Sequence, residues 1–248
     1  MTTSAAPSVD PDEIEHFSAM AAEWWDPTGP FRPLHQFNPV RVGFIRDTIC
    51  AQEGRDPMAP NPLQGLKMAD IGCGGGLLSE PIARLGADLT SIDPSADNIK
   101  CASVHADQMD LTIDYRQTTI EDLAQTDIQF DAVLSMEVLE HVADVDSFIA
   151  ASAKVLKPGG VFIGATLNRT LKSLALAKVG VEYILRWLPV GTHDWDKFLT
   201  PAELARALRD AGLDLQAVQG VTYSPLRGDW RLGNDTDINY MMVATKQA

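Results

Sequence analysis

A glycine-rich segment in the first third of the chain has the residue types of a ligand-binding loop. It reads Asp70-Ile71-Gly72-Cys73-Gly74-Gly75-Gly76 and stands where an apolar run gives way to a helical pattern. Glycine permits a sharp turn and lets a ligand lie against the backbone, while N–H groups at the start of the next helix can face that ligand. The spacing is G-x-G-x-G, with Leu77 where the last glycine of the dinucleotide motif G-x-G-x-x-G would fall.

Acidic residues around this loop indicate which ligand it suits. Asp70, two positions before Gly72, would repel a pyrophosphate and suits a cationic ligand, such as the sulfonium and ammonium groups of S-adenosylmethionine (SAM). Asp93 ends the next predicted strand, where a carboxylate can accept hydrogen bonds from both ribose hydroxyls of a nucleotide. Glu121 and Asp122 follow the third predicted strand, either as acceptors for the adenine amino group or only as acids of a helix first turn.

The elements that must position these residues follow from an alternation of short apolar runs with helical stretches. This alternation predicts an α/β fold with a Rossmann-like, mostly parallel sheet and helices on both faces. Seven strands are predicted, at residues 66–71, 88–93, 112–117, 130–136, 161–167, 215–224 and 239–246.

An N-terminal helical extension and linker is predicted over residues 1–60, ahead of a main domain over 61–248. Apolar residues at steps of three and four predict helices over 12–25 and 39–52, and the proline-rich stretch after the second helix reads as a linker. Trp24, Trp25, Phe31 and His35 are candidates for a second wall of the pocket, or for fixing the extension to the core. His16 and His105 are expected to be solvent-exposed helix residues.

Composition excludes several classes of protein. The chain has 34 acidic and 20 basic residues and a net charge of −14, which argues against nucleic acid as a partner. The three cysteines form no CxxC pair, which favours a reducing compartment. The N-terminus has no signal-peptide pattern, and no run of 18 apolar residues occurs. A soluble, cytoplasmic protein is therefore expected.

Four motifs in order, DIGCGGG, SID, FDAVLSMEVLEHV and LKPGG, resemble those of class I SAM-dependent methyltransferases. That resemblance implies a seven-stranded sheet in which the last strand is inserted antiparallel. The flanks, WWDPTGPFRPLHQFNPVR and the segment from TLNRTLKS to DKFLTP, are similar to those of the ubiquinone-biosynthesis O-methyltransferases. This narrower resemblance implies methyl transfer from SAM to phenolic hydroxyls of polyprenylated catechol-type (demethylubiquinol) intermediates.

Carried over residue by residue, the family's SAM contacts fall on Arg41, Gly72, Asp93 and Met136. A guanidinium at Arg41 could bind the methionine carboxylate through two parallel hydrogen bonds. Three alternatives stay open: methylation of another small phenol, an NAD-dependent oxidoreductase, and a lipid-surface binding module with a vestigial SAM fold. The missing dinucleotide glycine and Asp70 argue against the oxidoreductase.

Glu137, Glu140 and His141 follow the fourth strand and would share one face if this segment were helical. His141, with Glu137 beside it, could act as a general base on a phenol, whose pKa near 10 leaves little phenolate at pH 7. Alternatively, the three side chains could hold a divalent cation such as Mg²⁺, a role that the resemblance to eukaryotic relatives implies. A structural role for His141 stays open as well.

An insertion over residues 168–199 is predicted to form a lid. Its segment 169–190 is apolar and locally basic, with Arg169, Lys172, Lys178 and Arg186 against the single acid Glu182. This pattern indicates contact with an anionic membrane surface, or a helix packed on the substrate pocket. We therefore expect a peripheral position on the inner face of the membrane, with other ubiquinone-pathway proteins as further candidate partners. His193 and Asp194 are a second polar candidate site or a turn cap.

Overall fold

The computed structural model describes residues 8–175, 195–224 and 227–247 of the chain. Their centre is one mixed sheet with the strand order β3-β2-β1-β4-β5-β8-β6-β7. The eight strands are β1 (Lys67–Ile71), β2 (Asp88–Asp93), β3 (Asp114–Gln117), β4 (Phe130–Met136), β5 (Leu156–Leu167), β6 (Leu213–Ser224), β7 (Asp229–Gly233) and β8 (Asn239–Lys246).

The pairing of the strands confirms the Rossmann-like, mostly parallel arrangement. β1 pairs in parallel with β2 and β4, β2 with β3, and β4 with β5. β8 lies between β5 and β6 and is antiparallel to both. The antiparallel insertion of the last strand, which the resemblance implied, is therefore present.

The expected number of seven strands is wrong, because β7 forms an eighth at the edge of the sheet. Of the strands that the structure describes, it pairs only with β6, antiparallel, from Gly220 opposite Gly233 to Ser224 opposite Asp229. Its sequence, DWRLG, is short, and each of its residues is exposed or only partly buried. The alternation of buried and exposed residues that identifies a strand is therefore weak in this segment. From the sequence alone, the segment is typical of a loop that connects β6 with β8.

Helices flank the sheet and include most of those predicted. They are α1 (Pro11–Ala19), α2 (Arg32–Glu53), α3 (Ser79–Arg84), α4 (Ala96–Gln108), α5 (Ile120–Leu123), α6 (Val145–Lys154), α7 (Leu171–Ser173) and α8 (Pro201–Asp210), with 3₁₀ turns at Ala21–Glu23, Leu139–His141 and Trp195–Lys197. The first predicted helix, 12–25, is divided into α1 and a 3₁₀ turn. The second begins at Arg32 instead of Pro39, because Pro33 fits the first turn of a helix, where no N–H is needed.

Buried apolar side chains form a cluster on each face of the sheet. Adjacent residues of β4 point to opposite faces, so that Val133 belongs to the cluster with α6 and α8 and Leu134 to the cluster with α2. Phe37 and Ile45 of α2 lie in that second cluster. The second helix of the extension therefore shares the core of the sheet, and the division into 1–60 and 61–248 stays a prediction.

The insertion after β5 is described only at its two ends. Thr170 caps α7 through a capping box with Ser173, and Trp195 Nε1 donates a hydrogen bond to the Thr170 carbonyl oxygen at 3.0 Å. Lys178, Glu182, Arg186, His193 and Asp194 lie outside the described residues. Within the described ranges, no helix combines the length and hydropathy needed to cross a bilayer.

Candidate active site

Two adjoining clefts open at the carboxyl ends of β1, β2 and β4, where open parallel sheets bind ligands. The first cleft, about 790 Å³ including the part open to solvent, lies between the glycine loop, Asp93, the start of α5 and the segment 8–17. The second cleft, about 810 Å³ on the same basis, lies between α2, the glycine loop and the end of β4. Both are lined by Phe17, Trp24, Gly72, Glu137 and His141.

The glycine loop is closely packed at the positions where the backbone turns. Gly72 and Gly74 have φ of 73° and 52°, in the left-handed region that favours glycine. A Cβ at Gly74 would lie 2.3 Å from the Trp24 ring, and one at Gly72 would lie 2.6 Å from Val138. Gly76 lines neither cleft and instead packs against Tyr115 and Ala102, so its role is to shape the loop.

Asp93 lies at the end of β2 on the wall of the first cleft, as its predicted role requires. One carboxylate oxygen accepts from the Gly74 N–H at 2.9 Å, and the other accepts from the Ser95 N–H at 2.9 Å and from Asn98 Nδ2 at 3.2 Å. Burial raises the pKa of Asp93, and these hydrogen bonds oppose that rise. The carboxylate is thereby held in place beside the loop.

Glu121 and Asp122 have different environments in the structure. Glu121 lines the first cleft and is buried; its Oε1 accepts from Ser8, and its buried Oε2 has no hydrogen-bond partner among the described residues. A buried acceptor without a partner is the group that a ligand N–H would satisfy. Asp122 is exposed, and its backbone N–H bonds to the Thr119 side chain that caps α5. Its position fits only the helix-turn alternative.

The second cleft contains buried charges of both signs. Arg41 is 3% exposed and Asp70 is 2% exposed, and both line this cleft together with Met136. Nη2 of Arg41 donates to the Asn38 side chain at 2.9 Å, whereas its buried Nε has no hydrogen-bond partner within the described ranges. Burial raises the pKa of Asp70 to about 6, although Ser79 donates a hydrogen bond to it at 2.6 Å. A ligand with both a carboxylate and a cationic group would complement these charges.

The segment after β4 is not the helix that would place Glu137, Glu140 and His141 on one face. Glu137 has φ of 60°, and the short 3₁₀ turn begins only at Leu139. Positive φ is rare for residues other than glycine and is concentrated at functional sites. Burial raises the pKa of Glu137 to about 8; Glu140 adds to that rise and Arg41 opposes it.

This geometry does not fit the predicted metal set. Glu140 accepts a hydrogen bond from Thr166 at 2.7 Å, whereas Nδ1 of His141 lies 3.1 Å from Glu13. Among the residues that the structure describes, no three His, Cys, Asp or Glu side chains are arranged to hold a metal ion. Glu137, Glu140 and His141 therefore do not form the predicted divalent-cation site, because the turn holds Glu140 against Thr166 and His141 against Glu13.

The first residues of the N-terminal extension form a part of the site wall that the sequence analysis did not identify. Ser8, Glu13 and Phe17 line the first cleft, and Val9 forms an isolated antiparallel bridge with Val142. The segment before α1 is short and polar, and the partners of Ser8 and Glu13 lie more than 100 residues away, at Glu121 and His141. Periodicity along the sequence carries no signal for such contacts.

The aromatic residues of the extension cover the glycine loop. Trp24 stacks on Phe31 with ring centroids 3.7 Å apart, and its Nε1 donates to Asn98 at 2.9 Å. Trp25 Nε1 donates to the Gly75 carbonyl oxygen at 2.9 Å, and His35 Nε2 lies 2.9 Å from the Trp24 carbonyl oxygen. These contacts fix the extension to the loop, while Trp24 and Phe31 also line the second cleft.

Two histidines of the extension and of α4 are less exposed than expected. His105 stacks on Trp25 at 3.4 Å, with its Nδ1 2.5 Å from Glu80, and is only partly exposed. His16 is partly buried as well. Docking of the extension covers both, so the prediction of solvent-exposed helix residues is wrong.

Known proteins resemble this chain in fold and in sequence. Residues 69–164 match a family model described as a methyltransferase domain. A magnesium protoporphyrin IX methyltransferase from Synechocystis PCC 6803, solved with bound SAM, superposes with a TM-score of 0.63 at 18% identity, covering 99% of this chain and 100% of that one. At that identity the likeness shows the fold alone.

Sequence relatives are much closer. The chain is 55% identical over 248 residues to a ubiquinone biosynthesis O-methyltransferase of Brucella anthropi, with 100% of both proteins covered. It is 52% identical over 246 residues to the protein of the same name in Methylobacterium nodulans, with 99% of each covered. The chain therefore contains a methyltransferase domain, and it belongs to the family of the ubiquinone biosynthesis O-methyltransferases.

Proposed function

We propose that this chain transfers the methyl group of SAM to a phenolic hydroxyl of polyprenylated catechol-type intermediates of ubiquinone biosynthesis. The observation that carries the proposal is the position of His141 between the two clefts, one bordered by Asp93 and Glu121 and the other by Arg41 and Asp70. The name of the relatives at more than half identity supports the same substrate class.

The described residues offer a complementary partner for each part of SAM. Asp93 is placed to accept hydrogen bonds from the ribose hydroxyls, and the Oε2 of Glu121 to accept from the adenine amino group. Arg41 is placed to bind the methionine carboxylate, with its buried Nε as a donor in need of a partner. Asp70 and Glu137, once ionised, favour the ammonium and sulfonium charges.

The chemistry is a displacement in which the phenolic oxygen attacks the methyl carbon in line with the departing sulfur. His141 removes the phenolic proton, because a phenol with a pKa near 10 is mostly un-ionised at neutral pH. S-adenosylhomocysteine is the second product. Alignment of the oxygen, methyl carbon and sulfur lowers the barrier further, since fixed geometry contributes about 7–11 kcal/mol in well-oriented reactions.

Methyl transfer itself is the direct test. Purified protein with radiolabelled SAM and a short-chain demethylubiquinol should release a labelled methyl ether. In addition, lipid extracts of cells that lack the protein should accumulate an unmethylated quinone precursor by mass spectrometry. Labelled SAM without a methylated product would favour the vestigial binding module, and NAD binding without SAM binding in calorimetry would favour the oxidoreductase.

SAM affinity should increase with pH if Asp70 and Glu137 face its positive charges. The pKa values of Asp70 and Glu137 are raised to about 6 and about 8. When the pH is below the pKa of either carboxyl group, SAM binding must displace a proton from that group. The dissociation constant measured by calorimetry should therefore fall as pH rises from 5.5 to 8, with a slope of log Kd against pH of about −1. S-adenosylhomocysteine has the same α-amino group without the sulfonium charge and is the control. Equal slopes for both ligands would contradict the assignment.

The segment 169–190 of the insertion is proposed to contact an anionic membrane surface on the cytoplasmic side. The isoprenoid tail of the proposed substrate would lie in that membrane. The support for this contact is the local excess of basic residues in a chain of net charge −14. Leu185→Asp should reduce flotation with vesicles of phosphatidylglycerol. Leu232→Asp, on the exposed face of β7, should leave flotation unchanged. Equal flotation of wild type and Leu185→Asp would leave only the packed-lid alternative.

A further inference from the structure

Hydrogen-bonded charged side chains join the N-terminal extension to the turn after β4. Nδ1 of His141 lies 3.1 Å from Oε2 of Glu13, and Oε1 of the same carboxylate accepts from Lys197 Nζ at 3.1 Å. Lys197 also donates to Asp10 at 2.9 Å. The side chains of Glu13 and His141 are 19% and 15% exposed, so water screens their contact only in part.

Packing of the extension holds this contact in place. The Ala143 N–H donates to the Ser8 carbonyl oxygen at 2.6 Å, next to the bridge between Val9 and Val142. Phe17, one helical turn after Glu13, meets the His141 ring edge-on with centroids 5.0 Å apart at 83°. The imidazole is therefore fixed on one side by a carboxylate and on another by an aromatic ring.

We propose that Glu13 is the positioning residue for His141 in the methyl transfer proposed above. An ionised carboxylate only accepts hydrogen bonds, so the contact with Glu13 keeps the proton of the neutral imidazole on Nδ1 and leaves the lone pair on Nε2. As the phenolic oxygen forms its bond to the methyl carbon and the carbon–sulfur bond breaks, Nε2 takes the phenolic proton. The imidazolium then releases that proton to water.

This role gives Glu13 and Lys197 opposite effects on the base. The described charged groups around His141 are Glu13 on α1, Glu140 in its own turn and Lys197 in the 3₁₀ turn at the C-terminal end of the insertion. Burial lowers the pKa of His141, but Glu13 and Glu140 raise it by more, while Lys197 opposes them. Only the neutral imidazole accepts a proton, so kcat should fall at low pH, where His141 becomes protonated. This fall is the acid limb of the pH profile of kcat, and its midpoint reports the pKa of His141.

Two substitutions should therefore move that limb in opposite directions. Glu13→Gln keeps a hydrogen-bond acceptor but removes the charge, so the limb should shift to lower pH by about one unit. Lys197→Gln should shift the limb to higher pH, because it removes a cation that disfavours the imidazolium. Glu13→Ala, which loses the acceptor too, should also lower the plateau kcat by about 10- to 100-fold, with rescue by Gln.

The control is Glu15→Gln, which removes the same charge from the exposed face of α1 and should leave the profile unchanged. A purely structural role for Glu13 would lower kcat at every pH without moving the limb, and that result would overturn the proposal. Absence of methyl transfer by the wild type would instead remove the proposed function. Titration of the ¹⁵N-labelled His141 imidazole by NMR, assigned with His141→Gln, should show the same lowered pKa in Glu13→Gln; an unchanged pKa would also overturn the proposal.

Discussion

Replacement of His141 by glutamine is expected to lower kcat by about 10²- to 10⁴-fold, the usual contribution of a positioned general base. The amide of glutamine cannot take the phenolic proton at neutral pH. SAM affinity should stay within about twofold of wild type, because Arg41, Asp93 and Glu121, which carry the proposed SAM contacts, are unchanged. The measurement is single-turnover methyl transfer at saturating SAM, with SAM binding followed separately by calorimetry.

A chelator distinguishes the base from a metal-bound alternative. Glu140 and His141 are engaged with Thr166 and Glu13, so EDTA should leave the wild-type rate unchanged. Full activity of His141→Gln would assign the rate to alignment of the reacting atoms alone. Loss of wild-type activity in EDTA, restored by Mg²⁺, would show that the three side chains rearrange around a cation when substrate binds.

Asp93→Asn is expected to weaken SAM binding by about 10- to 100-fold. A hydrogen bond to a charged group contributes about 1.5–3 kcal/mol, and asparagine offers one acceptor oxygen where aspartate offers two. The NH₂ group of the asparagine would also face either the Gly74 N–H or the Ser95 N–H, so that two hydrogen-bond donors would point at each other. Calorimetry with SAM measures the loss, and a thermal melt establishes that the variant is folded.

Asp97→Asn is the matched control for Asp93→Asn. Asp97 lies exposed in the first turn of α4, close in sequence to Asp93, and is not among the residues that line the clefts. It should bind SAM within about twofold of wild type, since exposed charges contribute little. Unchanged SAM affinity in Asp93→Asn would remove Asp93 from the proposed site.

Residues whose role depends on neighbours in sequence could be predicted from the chain alone. The glycine loop, Asp93 and Met136 lie at the ends of β1, β2 and β4, as apolar runs followed by helical patterns indicated. In a parallel sheet those ends meet at one edge, so local pattern and general topology together were enough to bring them to one site.

The turn after β4 could not be predicted in the same way. A helical period placed Glu137, Glu140 and His141 on one face, whereas the chain turns through a left-handed backbone at Glu137. Arg41 was likewise ambiguous, because a basic residue on an amphipathic helix is usually exposed. Its burial against the second cleft depends on how α2 packs on the sheet.

The α/β alternation, the glycine loop and the acid at the end of β2 could be predicted from the chain alone, since each depends on a short stretch of residues. The edge strand β7, the burial of Arg41 and the contact of Glu13 with His141 and Lys197 became visible only in the folded molecule. The burial of Arg41 and the contacts of Glu13 bring together residues far apart in sequence, whereas β7 pairs with the preceding strand β6 and has no buried residue. Packing and desolvation between elements stabilise these features, and the periodicity of the sequence carries no signal for them.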